Sequence, residues 1–113
     1  MSERKEFGRI KSVRFGFGGY QECEFGLFLE LGGTAWGVNT SISGGWSTRI
    51  KHGQYSKWTE EGRSKQYDEM CRKLQDVLTK AKVENVDGLI GKPVEVTFDG
   101  MALKDWRILE EVL

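Results

Sequence analysis

The sequence predicts an α+β domain. An antiparallel sheet of about five strands, an N-terminal meander plus a C-terminal hairpin, is expected to pack on one long helix. Three observations predict it. Residues 22–31, ECEFGLFLEL, alternate strictly, with Cys23, Phe25, Leu27, Leu29 and Leu31 on one parity. Residues 60–82 carry Tyr67, Met70, Cys71, Leu74, Val77, Leu78 and Ala81 at helical spacing. Asp99-Gly100 then separates two strand-like runs with a hairpin signal. A chain of 113 residues fits a single domain over residues 1–113.

Each element has its own justification. Residues 1–5 are polar and expected to fray. In residues 7–17, FGRIKSVRFGF, the residues Phe7, Val13, Phe15 and Phe17 share one parity with cations interleaved, which predicts a strand; Ile10 breaks that parity. GGYQ at 18–21 predicts a turn, because paired glycines accept positive φ. The strand at 22–31 sets its apolar side against Glu22, Glu24, Gly26, Phe28 and Glu30, as in a sheet wet on one face. TAWGV, residues 34–38, predicts a third, short strand. Residues 39–58 show neither period, so a long Gly/Trp-rich loop of about twenty residues is expected, with a short strand through Ile42, Trp46 and Ile50 left open.

Thr59 is a suitable N-cap, and Glu60 and Glu61 complement the helix dipole in the first turn. Trp58 is placed to staple against Arg63. Asp87 is expected to cap a single turn, GLIG, ahead of Pro93, the one proline. Val94, Val96 and Phe98 alternate as a strand. Residues 103–113, LKDWRILEEVL, fit a strand by Trp106, Ile108 and Val112 and a helix by Leu103, Trp106, Leu109 and Leu113; the preceding hairpin signal favours the strand. Cys23 and Cys71 form no CxxC pair and sit on apolar faces, so buried free thiols are expected, as in a reducing cytoplasm.

Lys plus Arg and Asp plus Glu number 17 each, so any anion site must come from local charge. The segment from Leu31 to Thr59 supplies it: it has no carboxylate, yet holds Arg49, Lys51, His52 and Lys57, with Arg63 just beyond. Trp36, Trp46, Tyr55 and Trp58 offer flat faces for stacking or covering a ligand. These nine residues are the candidate ligand site, suited to a nucleotide or another phosphorylated, aromatic partner. An alternative has the tryptophans sealing the sheet edge and the cations pairing with Glu22, Glu24 and Glu30.

Catalysis is not expected. GFGGYQ fails the dinucleotide fingerprint at Gln21, and a strand follows it. His52 is the lone histidine, which excludes a multi-histidine metal site, and no acid nearby could orient it. GGWST is not a nucleophile elbow. Neither a metal nor a cofactor is implied. No segment has the apolar length of a membrane span, and the N-terminus lacks a signal peptide's apolar run.

The strings KWTEEGRS (57–64), VDGLIGKPVEVTFDG (86–100) and LKDWRILEEVL (103–113), with GGYQ and the Gly/Trp-rich middle, resemble a group of small uncharacterised proteins of tailed bacteriophages and prophages. The resemblance is strongest in the last sixty or so residues and loosest over 39–56. It implies a phage protein acting in the bacterial host cytoplasm and transfers no catalytic residue. By analogy with small phage proteins that act by binding, the expected function is non-enzymatic. The chain would antagonise host defence by sequestering a phosphorylated or nucleotide ligand or by blocking a host protein. The alternative is a single-stranded nucleic-acid-binding accessory protein of phage recombination or replication. A third reading has the acidic strand face mimic a polyanion. Self-association into a homo-oligomer stays open, since strand edges and tryptophans are available.

Overall fold

The structure, a computed structural model, describes residues 2–113. Its elements run β1 (Glu3–Gly18), β2 (Glu24–Gly32), β3 (Gly37–Trp46), α1 (Glu60–Ala81), β4 (Pro93–Asp99) and β5 (Ala102–Ile108). Short 3-10 turns lie at Tyr20–Glu22, Val86–Leu89 and Glu110–Val112. The five strands form one antiparallel sheet in the order β3-β2-β1-β4-β5. The expected meander, hairpin and long helix are all present.

β1 is the shared strand. Its first half, Glu3 to Arg9, pairs with β4, and its second half, Arg9 to Gly18, pairs with β2. The register shifts between Ile10 and Ser12, so Lys11 is an extra residue in β1. Such a bulge bends the strand and sharpens its twist. It also inverts the side-chain parity. Ile10 joins Val13, Phe15 and Phe17 on the inner face, opposite Leu31, Leu29, Leu27 and Phe25. Phe7 falls on the other face and is 64% exposed, which corrects the simple alternation read from the sequence. The expected fraying of residues 1–5 is corrected in part as well. Glu3, Arg4 and Lys5 pair with Asp99, Phe98 and Thr97, and only Met1 lies outside the described residues.

The sheet curls until its edges border one groove of about 390 Å³, lined by Thr40 and Ser41 of β3, by Leu103 to Ile108 of β5, and by Lys73, Asp76, Val77 and Lys80 of α1. The result is a partly open barrel with the helix in its gap. Inside it lie Ile10, Leu27, Leu29, Leu31, Ile42, Val94, Val96, Phe98 and Ile108, joined by Met70, Val77 and Ala81 from α1 and by Leu89. Thr59 caps the helix by accepting from Gly62 N at 2.9 Å, and Lys82 ends it in the left-handed conformation.

The helix docks chiefly on β3. Gly44 makes this approach possible: a Cβ there would stand 2.3 Å from the Tyr67 ring. Docking on one edge strand leaves the flank of the apolar stripe uncovered. Cys71 is therefore exposed; Cys23, just ahead of β2, is half-buried, and both are free thiols, against the expectation of burial. Two local readings also change. Asn85, not Asp87, caps the turn before Ile90, accepting from Asp87 N at 3.1 Å. Residues 39–46, expected in the loop, complete β3, because Ile42 opposite Leu27 supplies a core position that too few neighbours of matching parity announce.

The C-terminus is strand β5 followed by the last 3-10 turn. Arg107 holds that turn. It donates to both Glu111 oxygens at 3.0 and 2.8 Å and to Glu95 Oε1 at 3.0 Å, and Lys82 Nζ donates to Leu113 O at 2.8 Å. Hydrogen bonding from Arg107 lowers the Glu111 pKa from 4.5 to about 2. The folded pKa is the depressed one, so the ionised pair stabilises the fold above about pH 4.5 and loses that contribution as the pH falls toward 2. Full solvent exposure keeps the effect small. Thermal melts across this window should show a shallower acid decline for Glu111→Gln than for the native chain; identical slopes would remove the staple.

Candidate functional site

The loop between β3 and α1 is Ser47 to Thr59, shorter than expected, and much of it is tied down. Ser47, 1% exposed, donates its N–H to Cys23 O at 2.8 Å and accepts from Arg49 N at 3.2 Å. Arg63, one turn into α1, reaches back to donate to Ser47 O at 2.8 Å and Ile50 O at 2.6 Å, and pairs with Glu60 at 2.6 Å. Its guanidinium also lies 4.7 Å from the Trp58 ring centroid, so the expected Trp58–Arg63 contact forms as a cation–π pair. Tyr67 donates its hydroxyl to Trp46 O at 2.9 Å. Burial raises the Tyr67 pKa, with Arg63 opposing it, so the phenol stays protonated as that donor.

The nine sequence-predicted site residues do not form one cleft. Trp36 lies apart, edge-on to Phe98 at 5.6 Å in the core periphery. Trp46 and Trp58 line a pocket of about 210 Å³, but Glu24 is in its wall, which opposes an anion. His52 stands edge-on to Trp58 at 5.2 Å. Arg49 stacks on Phe17 at 3.5 Å and donates to Glu22 O at 3.3 Å, so one loop cation does turn toward the Glu22 segment, through its backbone. Lys51, Tyr55 and Lys57 are exposed, Tyr55 by 89%.

A second surface was hidden from sequence reading by the Lys11 bulge. The outer face of β1 carries Phe7, Arg9, Lys11 and Arg14 in succession. Arg9 donates to Gly91 O and Arg14 to Phe17 O, and Lys11 lies along Gly32. None of these three cations has a carboxylate within ion-pair distance among the described residues. Beside them, Phe28 of β2 lies across Gly18, where a Cβ would meet its ring at 2.7 Å, and Arg14 sits 5.5 Å from the ring centroid. The rest of this face is small or polar: Ser12, Gly16, Gly26, Asn39, Ser41 and Ser43, with Glu30 between Ser12 and Asn39 and Glu24 toward one end. A groove of about 670 Å³ runs over it, lined by Ser12, Arg14, Gly19, Phe28, Glu30 and Asn39. The signal for it was the run of cations in FGRIKSVRF. Strict alternation divides that run between two faces; the bulge gathers it on one.

No group of three or more His, Cys, Asp or Glu that could hold a metal occurs among the described residues. None of their helices is long and apolar enough to cross a membrane.

Arg63 thus has a structural task as well as its place in the candidate site. Its side chain is 12% exposed. Arg63→Ala removes charge-assisted bonds to two carbonyls and should lower unfolding free energy by about 1.5–3 kcal/mol in urea titration. A loss confined to ligand binding, with stability intact, would return Arg63 to a purely functional role. Comparison with known proteins finds no matching family model, no matching curated protein and no matching solved structure.

Proposed function

We propose that this chain binds single-stranded nucleic acid along the outer face of β1 and β2, without catalysis. The observation that carries the reading is the stripe Arg9, Lys11 and Arg14, without a carboxylate in ion-pair distance among the described residues, with Arg14 beside the Phe28 ring. Cations that track a phosphate backbone, with aromatic faces on which bases stack, are the usual means of holding single strands. Phe7, exposed at the start of the stripe, offers a second face. A meander, a helix and a hairpin returned to the free side of β1 is also the connectivity of the five-stranded OB barrel. Barrels of that class bind oligonucleotides and oligosaccharides on the face of their second and third strands.

The neutral net charge is no obstacle, because the charges are sorted. Glu95 and Glu111 are paired with Arg107, Glu60 with Arg63, Asp68 with Arg72 and Asp76 with Lys80. The β1 cations are left for a ligand. With the phage resemblance, the setting is the bacterial host cytoplasm and the role an accessory one in phage recombination or replication. The loop-centred reading, in which a phosphorylated ligand is sequestered from host defence, has weaker support, since Arg63 is bound to loop carbonyls and Trp36 lies apart from the other loop residues.

Fluorescence anisotropy with a labelled single-stranded oligonucleotide tests the proposal. Three phosphate contacts predict a slope of about −2 for log K against log salt. Phe28→Ala should weaken binding by about 1–3 kcal/mol, the usual value for one stacked base. Lys11→Ala should flatten the salt slope by about 0.7. Absence of binding at low salt overturns the reading.

A further inference from the structure

The sheet has two open edges, and they are not alike. β5 guards its own. Leu109 donates its N–H to Pro93 O at 3.0 Å in the β4–β5 ladder, and alternation along that ladder turns the backbone of Trp106 and Ile108 to the open side. There Asp105 accepts from Trp106 N at 2.8 Å and Arg107 donates to Ile108 O at 3.5 Å. Lys104, Asp105 and Arg107 also set charge along the strand, which keeps other chains off a sheet edge. β3 has no such guard. Its ten residues, GVNTSISGGW, include no charge and no proline. Gly33 donates its N–H to Trp36 O at 3.0 Å where the β2–β3 ladder begins, so alternation turns the N–H and C=O groups of Asn39, Ser41 and Ser43 to the open side. No side chain among the described residues serves them as Asp105 serves Trp106.

We propose that the open edge of β3 takes an extended peptide of a partner protein as a further strand, with an acidic residue of that peptide against Lys73. Space lies beside the edge. Two grooves of about 390 Å³ each share Ser41 and Lys73: one lies between β3 and β5 over Val77, the other beside Ser41 to Ser43 over Met70. α1 and β5 wall them, so one extended chain fits where a second copy's β3, flanked by its own helix, would not. Main-chain bonds to Asn39, Ser41 and Ser43 supply affinity, and side chains that alternate along the peptide supply choice. Charge complementarity sets the acidic residue. Lys73 has no carboxylate within ion-pair distance among the described residues. In the groove shared with β5, Lys73, Lys80, Lys104 and Arg107 outnumber Asp76 and Asp105. Glu69 borders only the other groove, which places the acidic residue toward Thr40. β2 separates this edge from the stripe on β1, so the inference stands apart from nucleic-acid binding.

Selection of displayed peptides of about eight residues on the whole chain, followed by amide hydrogen exchange with an enriched peptide, tests it. Enriched sequences should hold an acidic residue and no central proline. The bound peptide should slow exchange at Asn39, Ser41 and Ser43 by about tenfold or more, and leave Thr40 and Ile42, which bond to β2, unchanged. Lys73→Ala should weaken the peptide about fivefold, the upper range for an exposed ion pair. Ser41→Pro removes an outward N–H, a change that an edge strand accepts, and should abolish binding while circular dichroism stays native. The exchange pattern of the native chain decides the matter even where that variant misfolds. No enriched sequence, protection without the alternation, or the same protection by oligodeoxythymidine overturns the inference. An affinity unchanged in Lys73→Ala overturns the acidic assignment.

Discussion

The extra residue at Lys11 is the constraint on which the rest of the molecule depends. One strand of sixteen residues serves both halves of the sheet, paired with β4 before it and with β2 after it. A straight strand with strict alternation would bury Ile10 only by exposing Val13. The bulge lets both face inward, against Leu31 and Leu29, and turns the sheet so that its edges approach α1. The same inversion gathers Arg9, Lys11 and Arg14 on the outer side. Core closure and the basic stripe therefore share one geometric cause.

The open side of the barrel is secured by polar contacts that follow from where the helix begins. Thr59 starts α1 directly after the loop, so Arg63 and Tyr67 emerge one and two turns later, close to the end of β3. Arg63 satisfies two loop carbonyls, Tyr67 one strand carbonyl, and Ser47 ties the loop to the residue before β2. No buried side-chain polar atom among the described residues lacks a hydrogen-bond partner. These bonds fix the start of α1 and its loop against the end of β3, while β3 and β5 remain the unpaired edges of the sheet.

Charge in this chain is a matter of placement more than amount. The helix pairs its charges along its own surface, through Asp68 with Arg72 and Asp76 with Lys80. The β4–β5 side pairs them across strands through Glu95 and Arg107. The β1 face is rich in cations, and the neighbouring β2–β3 face is rich in glycine and serine, with Glu30 between Ser12 and Asn39. A neutral total hides that separation, because the sum keeps no record of which face a side chain occupies.

Much of the fold was legible because it rests on local periodicity. Leu27, Leu29 and Leu31 declared β2, the stripe from Tyr67 to Ala81 declared α1, and Asp99-Gly100 declared the hairpin; all three signals sit within one element each. The sequence by itself thus determined the class, the element order and the apolar set. The tertiary structure decided what no local period encodes. It moved Asn39 to Trp46 from loop to strand, because Ile42 packs opposite a residue fifteen positions earlier. It turned Phe7 outward and Ile10 inward through a one-residue bulge. It divided the tryptophan-rich segment among core edge, helix start and surface. Pairing partners lie far apart in the chain, and a shift of one residue exchanges the faces of a strand. The location of the candidate site therefore waited on the sheet.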